Sequence, residues 1–588
     1  MRPRRLHVGV AVTAAALGTS LAAVPTTATA GERSTHARQT DARHTFLVLA
    51  EKSVSRADTV RAIKDAGGRV TSVNTAIGLY QVTTRTTGFA RTVSRSTAVK
   101  GAARNRVIGT LPDTLVKTQR VEKENRGAAR TTTADVGPAA AATEGMDPLD
   151  DKLWGLRMVH SDTARQVNAG DRRVLVGVLD SGIDFRQPDL AGQVNGDLSR
   201  NFVTDIPEID GPCEFSGCQD PVGWDDSGHG THVAGTIAAA ANGFGLSGVA
   251  PDVTLVEIRG GQDSGFLFLK PVTDALTYAG NAGLDVVNMS FYVDPWLYNC
   301  HGGAPEDSRQ EAADQRVVID AMNRAMDYAH DHGVTLVGSL GNNHEDLSNL
   351  RVDTSSPDYP LGTAHPRTVT DDKCVDLPVE GQHVIGVSAL GPSEYKADYS
   401  NYSTGGSEGP EAKGEIEVSA PGGWFRDGFG TPTFRTNENL ILSTYPVNAL
   451  QAEGEVTKNG KITKQGQADG VIEVCPTTDT PYAQCGWYAW LQGTSMASPH
   501  ATGVAALAVS AFGSTDTAGG FGLAPDEVRA IVLNSAADHA CPEPVLTYSD
   551  EGRDSSYDAP CVGGPDFNSI YGDGIVDAFT AVTNGAGS

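Results

Sequence analysis

Val174-Leu175-Val176-Gly177-Val178-Leu179-Asp180-Ser181-Gly182 joins an uninterrupted apolar run to a carboxylate and a glycine turn. Six residues without a polar side chain are the pattern of a parallel strand buried on both faces, not of a half-exposed strand that alternates. Comparable runs stand at 253–258, 284–289, 334–340 and 384–389, with helix-patterned segments at 231–241, 272–282 and 315–331 between them. Strands alternating with helices predict an α/β domain with a mostly parallel sheet. Asp180 then falls at the carboxyl end of a strand, where open α/β sheets gather their functional groups.

Two further segments carry reactive groups. Ser227-Gly228-His229-Gly230-Thr231-His232 sets a histidine between two glycines at the head of a helix, where the backbone permits close approach of a partner. His229 and His232 have i, i+3 spacing, but no Glu follows as in a helical zinc motif, so His232 is read as packing on the helix. Gly493-Thr494-Ser495-Met496-Ala497-Ser498-Pro499-His500 precedes the apolar run 501–509, which predicts a buried helix with Pro499 near its first turn. Ser495 would sit at the positive end of that helix, with a backbone N–H free of an intrahelical acceptor. A serine hydroxyl is a weak nucleophile until a base takes its proton. His229 suits that base, and Asp180 suits the group that orients the imidazole and stabilises its charged form. Such chemistry needs no cofactor.

The 588 residues hold 46 Lys+Arg and 72 Asp+Glu, a formal net charge of −26. That balance excludes a nucleic-acid binder and a polybasic membrane surface. It is also unevenly spread. Residues 1–140 carry 22 basic and 9 acidic side chains (net +13), and the remainder 24 and 63 (net −39). Arg2, Arg4 and Arg5 precede an apolar or small run at 8–24 and Ala28-Thr29-Ala30, which reads as a secretory signal peptide over 1–30. No other apolar run reaches the ~18 residues needed to cross a bilayer. The expected location is extracellular. All eight cysteines lie after residue 212, and an even count in an exported chain favours disulfides. Many connectivities are open; short loops favour Cys213–Cys218, Cys475–Cys485 and Cys541–Cys561, leaving Cys300 with Cys374. In the basic part, strands at 44–50, 70–73, 78–83 and near Val107-Ile108, with helices at 56–66 and 88–99, predict a small ferredoxin-like α+β unit. Residues 120–145 are polar or small, without period, and read as a linker.

The chain order Asp180, His229, Ser495, with Asp180-Ser181-Gly182, His229-Gly230-Thr231-His232-Val233-Ala234-Gly235-Thr236 and the 493–500 motif, resembles the subtilisin family of serine endopeptidases. Trp154-Gly155-Leu156, Gly248-Val249-Ala250-Pro251, Ser419-Ala420-Pro421-Gly422 and 571–578 extend the resemblance. It implies a subtilisin-like three-layer domain over 147–588, with surface insertions around 345–382 and 423–488 that shape subsites or bind calcium. It implies that residues 43–115 are an inhibitory propeptide and that the linker 116–146 contains or adjoins the maturation site. Polypeptide substrates, a propeptide acting as inhibitor and folding aid through opposite charge, and a monomeric enzyme follow from the same resemblance.

Individual residues carry over in the same way. Leu340-Gly341-Asn342 is similar to the family's oxyanion segment, so the Asn342 amide is expected to donate to the tetrahedral oxyanion beside the Ser495 N–H. Ser290, Phe291 and Tyr292, with Leu340 and Gly341, are the expected substrate-binding residues. The family usually has glycine where Tyr292 stands and a small residue where Leu340 stands, which predicts a narrower or reshaped first pocket. Asp189 and the loop 241–246 are similar to a family calcium site, with Asp189 and Asn242 as side-chain ligands beside the carbonyls of Phe244 and Leu246. A catalytically dead binding scaffold is the rival reading; Asp180, His229, Asn342 and Ser495 all being present speaks against it.

Overall fold

The computed structural model describes residues 44–105, 119–124, 147–349, 351–370, 373–405, 415–476, 484–515 and 520–584. The signal-peptide reading at 1–30 lies outside them. A seven-stranded sheet runs in the order Ile416–Pro421, Val384–Leu390, Thr335–Ser339, Val286–Met289, Leu175–Leu179, Thr254–Arg259, Arg200–Asn201. Each neighbouring pair is parallel, as the continuous apolar runs require.

Alternation along the strands sorts their side chains into two cores. Val176, Val178, Leu255, Val286 and Val337 face the helices His229–Ala238 and Thr494–Phe512. Leu179, Val256, Val287 and Leu336 face the helices Leu269–Ala282 and Arg309–Asp331. The result is helix, sheet, helix in three layers. Thr494–Phe512 is apolar on every side and buried to Val509, which suits a helix at the middle of a large domain. Among the described residues no helix is long and apolar enough to cross a membrane.

The N-terminal α+β unit is a four-stranded antiparallel sheet in the order Gly68–Asn74, Leu79–Thr84, His44–Ala50, Val99–Asn105. Arg56–Asp65 and Phe89–Val93 are its helices. One expectation fails here: the last strand is Val99–Asn105, not one near Val107-Ile108, which lie outside the described residues. The second helix ends at Val93, so the chain returns to the sheet early, through the weak strand formers Ala102 and Ala103. The far face of this sheet packs Leu47, Leu49 and Leu79 against Val317 and Val318 of Arg309–Asp331. Asn74 donates to Asp274 at 2.9 Å and Thr277 at 2.8 Å, and Arg324 donates to the carbonyls of Ala50 at 2.8 Å and Ile77 at 3.1 Å. Lys100–Asp320, at 3.8 Å, is an ion pair across the same interface. Apolar burial and hydrogen bonds with at most one charged partner therefore outnumber ion pairs in this contact.

All four disulfides join the favoured partners: Cys213–Cys218, Cys300–Cys374, Cys475–Cys485 and Cys541–Cys561. The 423–488 region is not a surface addition. Its strand Ile441–Thr444 pairs with Gly486–Leu491, which pairs with Ile472–Val474, and Ser443 and Thr444 bond the carbonyls of His232 and Thr231.

Candidate active site

Asp180 ends the strand Leu175–Leu179, Ser290 follows Val286–Met289, and Gly341 and Asn342 follow Thr335–Ser339. These strands are adjacent, so one edge of the sheet collects all three. Gly230 lets the His229 helix approach: a Cβ there would stand 2.2 Å from the Gly182 carbonyl oxygen. His229 Nδ1 consequently meets Asp180 Oδ1 at 2.8 Å and Oδ2 at 2.9 Å. Burial alone would lower the His229 pKa, but the carboxylates of Asp180 and Glu122 outweigh it and hold the imidazole well above its ordinary value.

Ser495 lies in the first turn of its helix, where the amides have no carbonyl four residues back. Asn342 Oδ1 accepts from the Thr494 N–H and hydroxyl, both at 2.9 Å, which turns the amide nitrogen toward Gly493: a Cβ on Gly493 would lie 3.4 Å from it. Ser290 locks the nucleophile's backbone, its hydroxyl donating to the Ser495 carbonyl at 3.0 Å while accepting from Asn288 at 2.9 Å. The Ser495 hydroxyl itself donates to the Ser290 carbonyl at 3.3 Å. His232 is fully buried, contacts the Ile441 carbonyl at 3.1 Å and is pushed by burial to about 3, a neutral core histidine as read from the sequence.

Two cavities flank the triad. One, of about 120 Å³, is lined by Ser495, Asn342, Gly341, Phe291, Tyr292 and Asp376. The other runs past His229 and Tyr292 to Phe266, Asp294 and Asp358. Tyr292 stands in both, its hydroxyl bonded to Asp358 at 2.9 Å. Leu340, expected at the substrate, lines neither; it is fully buried in a cluster with Leu297, Tyr298 and Leu347. Chain alternation explains this, since Ser339 and Gly341 face the cavity and the residue between them faces away. Of the two roles expected for the 345–382 segment, shaping the subsites agrees with Ser355 and Asp376 lining the Ser495 cavity.

Sequence reading missed what fills the cleft. Val121–Glu124, read as featureless linker, reaches it: Val121 and Glu122 end the short helical turn Gln119–Glu122, and Val121, Glu122 and Lys123 line the two cavities. The Glu122 carbonyl accepts from the Gln492 N–H at 3.1 Å, and the Val121 carbonyl from the Gln492 side chain at 2.9 Å. Glu122 Oε1 stands 3.4 Å from His229 Nε2. Lys123 donates to the Tyr445 hydroxyl at 2.8 Å and pairs with Glu453, and Glu124 pairs with Arg426 at 2.6 Å. No local pattern announces these residues; only their neighbours in space define them.

Asp189 and Asn242, the side chains expected to ligate calcium, are held in the structure by protein hydrogen bonds. Asp189 is fully buried, and its Oδ2 accepts from the Leu246 N–H at 3.0 Å and the Tyr488 hydroxyl at 2.8 Å. Asn242 is exposed and turns its side-chain oxygen to the Phe244 N–H at 2.8 Å. Both donors reach Oδ2, Oδ1 is buried with no hydrogen-bond partner among the described residues, and burial pushes the carboxyl up to about 8. Burial of that carboxyl without a counter-ion favours its protonated form.

The Subtilase family profile matches residues 171–574. Fervidolysin of Fervidobacterium pennivorans is 27% identical over 398 residues, covering 67% of this chain and 41% of that protein. The chain thus spans less than half the length of that relative. Subtilisin DY of Bacillus licheniformis is 25% identical over 359 residues, covering 61% of this chain and 85% of that protein. In fold, the chain is similar to the epidermin leader peptide processing serine protease of Staphylococcus aureus, with a TM-score of 0.58, 17% identity, and 93% and 99% of the two chains covered. With two-thirds of its residues matched by one profile and the same architecture in a solved relative, the chain belongs to the subtilase family.

Proposed function

We propose that the chain is a secreted serine endopeptidase, made as a precursor, that hydrolyses polypeptides through an acyl-enzyme. The carrying observation is the 2.8 Å contact between Asp180 and His229 beside the cavity that Ser495 and Asn342 line. His229 Nε2 takes the Ser495 hydroxyl proton as the oxygen attacks the peptide carbonyl, and Asp180 orients the imidazole and stabilises its charged form. The Asn342 amide and the Ser495 N–H donate to the oxyanion. His229 passes the proton to the leaving amine, and water, activated the same way, releases the acyl group.

The precursor reading is supported by the docked N-terminal unit and by Val121–Glu124 in the cleft. With His229 Nε2 facing Glu122 and the Ser495 hydroxyl turned to Ser290, the described state is a blocked one. We read 43–115 as the inhibitory propeptide and 116–146 as a linker that contains or adjoins the maturation site. A fluorophosphonate probe tests the reading on secreted protein: adduct at Ser495, absent in Ser495→Ala, is expected. Absence of label on folded, processed protein defeats it.

A further inference from the structure

We propose that Asp376 makes the cavity beside Ser495 selective for a basic side chain, so that the enzyme cuts polypeptides after arginine or lysine. The inference rests on the peptidase reading and names its substrate class. Asp376 lies in the segment around 345–382, far in sequence from the triad, yet lines the same cavity as Ser495, Thr494 and Asn342. It bridges the cavity's two walls. The next residue, Leu377, accepts at its carbonyl from the Val293 N–H at 2.7 Å, which fixes Asp376 behind the Ser290–Tyr292 wall. Its carboxylate lies against the other wall, with Oδ2 3.5 Å from where a Cβ on Gly341 would stand.

The carboxylate lacks a partner of its own. Asp376 is 3% exposed, and among the described residues its carboxylate oxygens receive no hydrogen bond. Its backbone is held instead, the N–H donating to Glu380 at 2.5 Å and the carbonyl accepting from the Glu380 N–H at 2.8 Å. Arg351 lowers the acid's pKa by its charge but makes no hydrogen bond to it: Nη1 donates to the carbonyls of Asp346 and Asn349, the guanidinium covers the Tyr298 ring, Nη2 stands 4.0 Å from Glu380, and Nε and Nη2 have no hydrogen-bond partner among the described residues. No Lys, Arg or His is among the described residues lining the cavity. A buried acid left unpaired is costly, and proteins keep such groups where a ligand completes them. Burial, with Glu380 adding to it, holds the acid well above the usual carboxylate range, and an arriving cation reverses both effects.

The remaining lining suits a guanidinium or ammonium on an apolar stem. Phe291, Tyr292 and Leu297 offer surface to the methylenes, and Ser339 and Ser355 offer oxygen atoms near the acid. The chain supplies a candidate site of its own. Val121 lines this cavity, and the residue before it in the sequence is Arg120. Cleavage after Arg120 would leave Val121 as the first residue of the mature enzyme.

The test compares peptides that differ only in the residue before the scissile bond, with active enzyme counted by fluorophosphonate label. Wild-type enzyme is expected to favour Arg and Lys over Leu and Phe by at least about 100-fold in kcat/KM. Asp376→Asn, close in shape, is expected to lose that preference, its kcat/KM for Arg and Lys peptides falling at least about tenfold relative to Leu and Phe. Benzamidine should inhibit the wild type competitively and the variant at least about tenfold less. N-terminal sequencing should begin at Val121. Labelled wild type that prefers Leu or Phe overturns the inference and leaves the peptidase reading intact. An Asp376→Asn enzyme that keeps its preference for Arg also overturns it. Folded protein that neither labels nor cleaves any peptide defeats the peptidase reading, and this inference with it.

Discussion

Glu122 holds a carboxylate oxygen 3.4 Å from His229 Nε2, on the side of the imidazole that must face the Ser495 hydroxyl for catalysis. The contact raises the His229 pKa together with Asp180. It favours the blocked state while His229 is charged, fully so below the ordinary histidine value, and is lost as pH rises through the raised value. Glu122→Gln precursor should therefore react with a fluorophosphonate about tenfold faster than wild type near pH 6. The gap should close at alkaline pH. Equal rates at pH 6 would show that Glu122 does not guard the histidine.

Asn342 has its side-chain oxygen anchored by Thr494, which turns the NH₂ group toward Gly493 and, in the proposed mechanism, frees it for the reacting carbonyl. Asn342→Ala is expected to lower kcat by about 10²–10³, the order known for loss of this donor in the family, with KM little changed. Steady-state kinetics check it. A purely structural residue would instead lower Tm and the labelled fraction.

Asn74 makes two buried hydrogen bonds to the helix Leu269–Ala282 from the N-terminal unit. In a Ser495→Ala precursor, Asn74→Ala should weaken docking by about 1–3 kcal/mol. Hydrogen exchange should read this as faster exchange over 44–105. Because that interface is largely apolar, raising salt to 1 M should leave protection there nearly unchanged. A steep salt dependence would restore the electrostatic account.

Asp189 folds with a value near 8, against about 4 when unfolded, so the folded state binds the extra proton. Its contribution to stability is present below about pH 4 and lost as pH rises to 8. Asp189→Asn should flatten that part of the Tm profile and raise Tm above pH 8. If millimolar calcium instead stabilises the wild type strongly and the variant not at all, the protonated-acid account is wrong.

The parallel sheet was legible because burial on both faces leaves unbroken apolar runs; 174–179 and 384–389 match strands Leu175–Leu179 and Val384–Leu390 closely. The edge strand Arg200–Asn201 has no such run and was missed. Asp180, His229 and Ser495 were legible because each sits in a local motif. Glu122, Asp376 and the orientation of Leu340 were not, because each is defined by a long-range neighbour. The 423–488 region looked like insertion by length alone, although its strands lie under the His229 helix.

Cys374 precedes Asp376 by two residues and faces Cys300 across a two-residue strand pair, closing a loop whose ends are 74 residues apart. The acid that faces the substrate is thus stapled to the domain by a bond that a reducing cytosol does not permit. Under the proposed specificity, discrimination is acquired with oxidation: with the cysteines reduced the pocket's rear wall rests on packing alone, and with them oxidised the wall is covalent. A thiol reductant should accordingly blur the choice of cleavage site before it abolishes cleavage.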